Sequence, residues 1–287
     1  MSLQALMAKE YDGRALRTRR VLLRTSDYTR YAVTYLSGDL RISGIMNVPR
    51  GKGPFPVLVL LHGYIDPAVY NTGQGLMREQ DYLAREGYVA LHVDYRGHAG
   101  SDPAPRAEQS LRLGYTVDAI NAVHAVRRSP LPYLDGERVG FLGRSMGGGV
   151  LYNALVAQPG LVDAAVAFAP VSSDTVDNFN RWTRPERSEV AADIIRAHGS
   201  PERNPDFWRD VSPRTFFDRI SEPLLIHHGT ADESCPYRWS RTSLRALERA
   251  GVDARLLTYP GEAHAFGPQW PLSMRRTVAF FDRRLNA

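Results

Sequence analysis

Cysteine and long apolar runs are both scarce in this 287-residue sequence, and each scarcity narrows what the protein can be. The single cysteine, Cys235, excludes an internal disulfide and leaves the redox compartment open. No apolar run approaches the roughly 18 residues of a membrane span, and the chain does not begin like a signal peptide. We therefore expect no membrane partner and a cytoplasmic location for the chain as written. Secretion is the alternative if a leader has been removed.

Lysine is almost missing as well. Lys9 and Lys52 are the only two, which leaves 34 of the 36 basic residues as arginine. The arginines are spread among acidic residues, as in 184–189, and no basic stripe alternates with aromatic residues. The formal charge of +5 therefore indicates no nucleic-acid partner, because such partners are bound by a basic patch or stripe. The oligomeric state stays open.

Short apolar runs alternate with segments of helical pattern along most of the chain. Six runs have the character of strands that are covered on both faces: Val57–Leu61, Val89–Val93, Val139–Leu142, Ala164–Phe168, Leu224–Ile226 and Ala254–Leu257. Helical patterns lie at about 75–87, 108–128, 146–158, 236–250 and 271–284. This alternation predicts an α/β fold with a mostly parallel central sheet and helices on both faces. We expect one domain over residues 1–287.

Residues 1–48 depart from this pattern. Residues 1–19 are polar and mixed, which indicates a surface helix or arm. Alternating runs follow at 21–23, 31–35 and 40–48, and a Ser-Gly-Asp turn separates the last two. We expect antiparallel strands that lead into the sheet.

Residues 172–220 contain no apolar strand, and their aromatic residues stand among many charges. A connection this long inside a compact domain usually has its own helices and often lies over a site. We therefore predict a helical cap or lid, in which Phe179, Trp182 and Trp208 contact the substrate. The alternative is a helical excursion whose aromatic residues only pack its own small core.

The sequence around Ser145 has the pattern of a nucleophile elbow. The apolar run 139–142 leads into Gly-x-Ser-x-Gly at 143–147, and a helical pattern follows. In such an elbow a sharp turn exposes the serine hydroxyl, and glycines stand where a Cβ would collide with neighbouring backbone. We predict Ser145 as the nucleophile and the N–H of Met146 as one oxyanion donor. A glycine-rich structural turn is the alternative.

Candidates for the other catalytic groups follow the ends of later strands, which share one edge of a parallel sheet. Asp232 follows the run ending near Ile226, and His264 follows the last strand. Serine, acid and base thus come in the order of the α/β-hydrolase triad. Imidazole can take the serine proton and return it, and a carboxylate fixes its tautomer. The alternative acids are Glu233, Glu262, Asp174 and Asp177.

A second oxyanion donor is expected from the loop after the first parallel strand. The sequence there reads His62-Gly63-Tyr64, and Tyr64 can donate through its phenol or its backbone N–H. A tyrosine that only packs against the loop is the alternative. We expect His62 to hold this loop in shape, His228 to make a structural hydrogen bond and His98 to lie at the surface. No histidine pair has metal-ligand spacing, so we predict neither a metal nor a cofactor.

Jointly, these motifs resemble the catalytic domain of the prolyl oligopeptidase-type serine hydrolases, within the α/β-hydrolase superfamily. The similar segments are Leu61–Tyr64, Leu83–Gly97, Gly143–Gly148, Ser212-Pro213, His228–Asp232 and Tyr259–His264. The resemblance covers about residues 45–285. It implies an α/β-hydrolase fold in which the side chain of Tyr64 supplies an oxyanion donor.

The resemblance departs from the family's peptidases at the start of the chain. Only about 45 residues precede the similar region, too few for the β-propeller that those peptidases carry. Stand-alone members resemble acetyl-xylan and other carboxylesterases. We therefore expect a carboxylester hydrolase without the propeller, which acts through an acyl-enzyme on a small ester or a short peptide. An aminopeptidase or acylaminoacyl-peptidase is the alternative, and a catalytically silent binding protein is a third hypothesis.

Overall fold

The computed structural model describes residues 1–285, and within them nine strands form one sheet. The strands are β1 (Arg14–Arg24), β2 (Tyr28–Ser37), β3 (Leu40–Pro49), β4 (Phe55–Leu61), β5 (Val89–Val93), β6 (Leu134–Arg144), β7 (Ala164–Phe168), β8 (Leu224–Gly229) and β9 (Ala254–Tyr259). The α-helices are α1 (Leu3–Met7), α2 (Met77–Arg85), α3 (Leu113–Arg127), α4 (Met146–Ala157), α5 (Thr175–Asn178), α6 (Arg184–Glu186), α7 (Ser188–His198), α8 (Pro205–Asp210), α9 (Tyr237–Arg249) and α10 (Trp270–Leu285).

The sheet is antiparallel at one end and parallel over the rest. Its order is β1-β2-β3-β5-β4-β6-β7-β8-β9. The first three strands pair antiparallel with one another, β3 pairs antiparallel with β5, and the remaining neighbours are parallel. The predicted antiparallel entry and the predicted α/β fold are both confirmed. The carboxyl ends of six parallel strands therefore lie along one edge of the sheet.

Strand β4 shows why the apolar runs become central strands. Successive side chains of a strand point to opposite faces of the sheet. Val57, Val59 and Leu61 join the core under α3 and α4, whereas Leu58 and Leu60 join the core under α2 and α10. Because each face has its own hydrophobic layer, a continuous apolar run is required rather than an alternating one.

The prediction for residues 1–19 is only partly right. Residues 3–7 form α1, whose Leu3 and Leu6 are buried in the main core, and β1 begins at Arg14. A five-residue helix with two leucines gives too weak a pattern for burial to be read from sequence. None of the helices within residues 1–285 has both the length and the apolar character that crossing a bilayer requires.

The 172–220 segment leaves the sheet after β7 and returns at β8. Its helices α5 and α6 flank a π-helical turn, Phe179–Thr183, and a 3₁₀ helix, Pro213–Arg219, closes it. A small apolar cluster holds the segment together, formed by Phe179, Ala191, Ile194 and Trp208. π-helical turns inside α-helices occur frequently at functional sites. The segment therefore has its own core and an irregular turn beside the carboxyl edge of the sheet.

Candidate active site

Ser145 lies on a sharp turn between β6 and α4, with a positive φ of 55° and ψ of −120°. This turn is free of steric collisions only because glycines flank Ser145. A Cβ on Gly143 would lie 2.4 Å from the carbonyl oxygen of Gly147, and a Cβ on Gly147 would lie 2.0 Å from that of Leu61. The N–H of Ser145 donates to the carbonyl of Phe168 at 3.0 Å, which fixes the turn against β7. The backbone therefore holds Ser145 in a conformation that a non-glycine residue rarely adopts.

His264 and Asp232 meet at the same edge of the sheet. Nδ1 of His264 lies 2.8 Å from Oδ2 of Asp232, and the Asp232 side chain is fully buried. The other carboxylate oxygen, Oδ1, accepts hydrogen bonds from the N–H groups of Ser234 at 2.9 Å and Cys235 at 2.7 Å. These bonds fix the carboxylate, which in turn orients the imidazole.

A second histidine also contacts this carboxylate. Nε2 of His228 lies 3.0 Å from Oδ2 of Asp232, and Nδ1 of His228 lies 2.6 Å from the hydroxyl of Ser240. The structural role predicted for His228 is confirmed. Burial alone would raise the pKa of Asp232, but the hydrogen bonds from His228 and His264 outweigh it and hold that pKa well below its usual value. The acid is therefore ionised at neutral pH.

Ser145 and His264 line one cavity of about 360 Å³. Among the described residues no hydrogen bond joins them, and such bonds commonly tighten only when substrate binds. The hydroxyl of Ser145 lies 3.8 Å from Sγ of Cys235. Burial raises the pKa of this cysteine to about 12, so it stays a neutral thiol beside the serine. No motif in the sequence indicates this contact.

The alternative acids have other partners. Glu262 accepts hydrogen bonds from the N–H groups of Gly267 and Gln269, at the start of α10. Asp174 caps α5, and Asp177 accepts from the hydroxyl of Ser172 at 2.6 Å. Glu233 accepts from the backbone N–H of His264 at 3.2 Å, not from its ring. Of the predicted acids, Asp232 is thus the one that bonds the imidazole.

The loop after β4 brings Tyr64 to the cavity opposite α4. Gly63 lies so close to Ser145 that a Cβ on Gly63 would be 3.2 Å from the Cβ of Ser145. Tyr64 and Met146 both line the cavity, and Met146 is the first residue of α4. The N-terminal N–H groups of a helix have no partner within the helix. Both predicted donors therefore belong to the same cavity as Ser145.

Buried groups hold this loop from behind. Nδ1 of His62 lies 2.6 Å from the carbonyl oxygen of Gly63, and burial lowers the pKa of His62 to about 3. The neutral His62 ring stacks on Tyr70 at 4.7 Å, as expected for a residue that shapes the loop. The surface position predicted for His98 is wrong, because it is buried edge-on against His62 and Tyr70. Among residues 1–285 no group of three acidic, histidine or cysteine side chains could hold a metal.

An ion cluster that the sequence analysis missed surrounds Tyr64. The guanidinium groups of Arg112 and Arg187 lie 4.5 and 5.5 Å from the centre of its ring. Glu108 binds both, at 3.0 Å to Arg112 and 3.1 Å to Arg187. Burial would raise the pKa of Glu108, but the two guanidinium groups lower it overall. The cluster joins the loop before α3 to the start of α7, across Tyr64.

The three predicted substrate contacts differ in position. Phe179 and Trp182 line the cavity, and Trp208 does not. Trp208 is 1% exposed in the core of the 172–220 segment, where its indole N–H donates to the carbonyl of Gly199 at 3.1 Å. The prediction for Trp208 is therefore corrected: packing of the segment's own core, which was the alternative, determines its place.

The fold and the arrangement at its edge define the protein class as a serine hydrolase of the α/β-hydrolase fold. More particularly, the chain belongs to the prolyl oligopeptidase family (peptidase S9), whose sequence model matches residues 74–287. The resemblance drawn from the motifs is thus confirmed. An uncharacterized peptidase of Bacillus subtilis (strain 168), YuxL, is 27% identical over 227 residues, 75% of this chain. This chain spans only 31% of the length of that relative.

Solved structures share the fold. An acylaminoacyl peptidase of Pyrococcus horikoshii superimposes with a TM-score of 0.74 at 24% identity, covering 91% of this chain and 42% of that chain. Acetyl Xylan Esterase 1 from Thermoanaerobacterium sp. JW/SL YS485 gives a TM-score of 0.65 at 17% identity, covering 98% of this chain and 99% of that one. At these identities the likeness concerns the fold, and the reaction must be argued from the site.

Proposed function

We propose that the protein cleaves carboxylic esters through an acyl-enzyme intermediate. The observation that carries the proposal is the 2.8 Å bond between His264 and Asp232 at the wall of the cavity that also holds Ser145 on its elbow. The hydroxyl of Ser145 attacks the ester carbonyl while Nε2 of His264 takes its proton. As the tetrahedral intermediate collapses, the bond between the acyl carbon and the alkoxide oxygen breaks, and the imidazolium protonates that oxygen. The alcohol leaves, and the acyl group stays on Ser145. A water molecule then attacks the acyl carbon while His264 takes its proton. The bond to Ser145 breaks, the proton returns from His264 to the serine oxygen, and the acid is released.

The developing oxyanion requires donors on the side of Ser145 that faces the β4 loop. The backbone N–H of Met146 and a donor from Tyr64 suit this role, because preformed dipoles cost no reorganisation during the reaction. The guanidinium groups of Arg112 and Arg187 lie over the Tyr64 ring, and this contact stabilises the ring at the wall of the cavity.

Replacing Tyr64 by phenylalanine tests which group of Tyr64 donates. If the phenol donates, kcat for p-nitrophenyl acetate should fall by about 10²-fold or more with little change in KM, because the donor acts mainly on the transition state. Tyr31→Phe, a tyrosine outside the cavity, serves as the control. Activity near that of the wild type in Tyr64→Phe would instead assign donation to the backbone N–H.

Ester hydrolysis is preferred to aminopeptidase activity because Glu108, the carboxylate of the cavity that lies beside Tyr64, is already paired. A free α-amine needs a carboxylate partner, and Glu108 is already bound by Arg112 and Arg187. An ester also has the better leaving group, so the same catalytic groups meet a lower barrier.

One observation favours a second candidate, an aminopeptidase. Glu186 lines the cavity, is exposed and makes no ion pair within residues 1–285, so its carboxylate is available to an ammonium group. The name of the Bacillus subtilis relative, a peptidase, agrees with this candidate.

One ester and two anilides that share a leaving group separate the two candidates. We expect kcat/KM for p-nitrophenyl propanoate to exceed that for alanyl p-nitroanilide by at least about 10²-fold, and alanyl and propanoyl p-nitroanilide to react equally slowly. Those two anilides differ only in the α-amine. A strong preference for the alanyl compound that disappears in Glu186→Gln would establish the aminopeptidase and defeat the esterase proposal.

A further inference from the structure

The cavity contains an amide side chain that nothing in the protein satisfies. Asn153, on α4, lines the cavity, and its Oδ1 is shielded from solvent without a hydrogen-bond partner. Across residues 1–285 no hydrogen bond reaches either end of this amide. An unpaired buried polar group lowers stability, and leucine has a similar shape without that penalty. An amide that is unfavourable for folding and belongs to the wall of a cavity is a candidate for binding a ligand, because rotation about χ2 can turn its oxygen or its NH₂ group toward that ligand.

We propose that Asn153 hydrogen-bonds a neutral polar group near the far end of an apolar acyl chain, so that the cavity selects hydroxy- or amide-substituted acyl groups. This inference rests on the proposed function, since Ser145 must carry the acyl group.

The position of Asn153 sets the length of that group. Asn153 follows Ser145 by eight residues along α4, which places their Cα atoms roughly 12 Å apart along the helix axis. Gly149, one turn before Asn153 on the same helix face, also lines the cavity. An acyl group on Ser145 must therefore be extended, on the order of 10 Å long, before its polar end reaches the amide.

Three apolar residues of the wall favour an apolar chain between the two ends. Val150, Phe179 and Ile194 line the cavity together with Asn153. Such side chains favour methylene groups over water but offer no partner to a polar atom.

The charges around the cavity favour a neutral polar end. Glu108 compensates Arg112 and Arg187, and the exposed Glu186 balances the remaining charge, so the four side chains carry no net formal charge. The amide of Asn153 has a donor and an acceptor and no charge, and rotation about χ2 exchanges the two. It therefore suits a hydroxyl or an amide better than a carboxylate or an ammonium group.

The test compares paired esters in the wild type and in Asn153→Leu. Each pair consists of a p-nitrophenyl ω-hydroxyalkanoate and the alkanoate in which a methyl group replaces the hydroxyl, for chains from butanoyl to decanoyl. In the wild type we expect the hydroxy-to-methyl ratio of kcat/KM to pass through a maximum at long chains. In Asn153→Leu that maximum should fall by at least about tenfold, because the leucine offers no hydrogen bond. Gln4→Leu, an exposed amide outside the cavity, should keep the wild-type ratio.

A hydroxy-to-methyl ratio that is the same in the wild type and Asn153→Leu would overturn the inference. So would a clear loss of stability of Asn153→Leu in urea unfolding, since it would give the amide a structural role; we expect equal or greater stability. Failure of the proposed function would look different, because the wild type would then hydrolyse neither member of any pair.

Discussion

Ser145→Ala is expected to lower kcat for p-nitrophenyl acetate by on the order of 10⁵- to 10⁶-fold, because the attacking oxygen is removed and only the oxyanion donors and binding remain. Labelling by a fluorophosphonate probe should disappear in the same variant. Ser26→Ala, an exposed serine outside the cavity, should keep both activity and labelling.

Persistent labelling of Ser145→Ala would defeat the assignment of the nucleophile. The neighbouring thiol of Cys235 is the first alternative to examine, since it lies 3.8 Å from the serine hydroxyl. Mass spectrometry of the labelled peptide identifies the residue, because Ser145 and Cys235 lie far apart in the sequence.

Substitutions at Ser145 also measure the backbone strain of the elbow. Ser145 has a positive φ of 55°, which glycine adopts without steric cost. Such strained residues cost roughly 1–3 kcal/mol, so Ser145→Gly should be more stable in urea than Ser145→Ala by about 1 kcal/mol. Equal stabilities of the two variants would show that the turn is not strained.

Asp232→Asn is expected to lower kcat by about 10⁴-fold while the protein remains folded. Oδ1 of Asp232 accepts two backbone N–H groups, so the asparagine must keep its oxygen there. Its NH₂ group then replaces Oδ2, facing His264 Nδ1 and His228 Nε2. An NH₂ group there forces the His264 tautomer that is protonated at Nε2, and this tautomer cannot take the serine proton.

Steady-state kinetics with p-nitrophenyl acetate measure the effect, and Glu233→Gln is the matched control. Glu233 is exposed, and within residues 1–285 its side chain accepts a hydrogen bond only from the backbone N–H of His264, so its substitution should change kcat by less than about tenfold. A large loss in Glu233→Gln combined with a small loss in Asp232→Asn would exchange the roles of the two acids.

Asp232 also makes stability depend on pH in a defined direction. Because the pKa of Asp232 is lower in the folded protein than in the unfolded chain, its contribution is fully present above the unfolded value of about 3.9. That contribution is lost as the pH falls through the folded value. The free energy of unfolding of Asp232→Asn should therefore decline less than that of the wild type below about pH 4.

The sequence alone predicted the sheet and the three strand-end residues. An apolar run such as Val57–Leu61 is needed because the strand is buried on both faces of the sheet. The glycine spacing around Ser145 is needed because a Cβ at those positions would collide with neighbouring backbone. Both requirements are short-range, so they can be read from the sequence. Parallel strands end at one edge, so Ser145, Asp232 and His264 could be placed together before any distance was known. The predicted bounds of the strands were less accurate than their order, since β1 begins at Arg14 and not near residue 21.

Only the tertiary structure decided which side chains of the 172–220 segment face the cavity. Phe179 and Trp182 line it while Trp208 is buried, although all three stand among similar charges in the sequence. The ion cluster around Tyr64 likewise joins Glu108 to Arg187, 79 residues apart. An arginine-rich chain offers a carboxylate many equivalent partners, and the packing of the segment selects among them. The sequence therefore determined the residues that we propose for the reaction, whereas long-range packing determined the shape and charge of the cavity that a substrate meets.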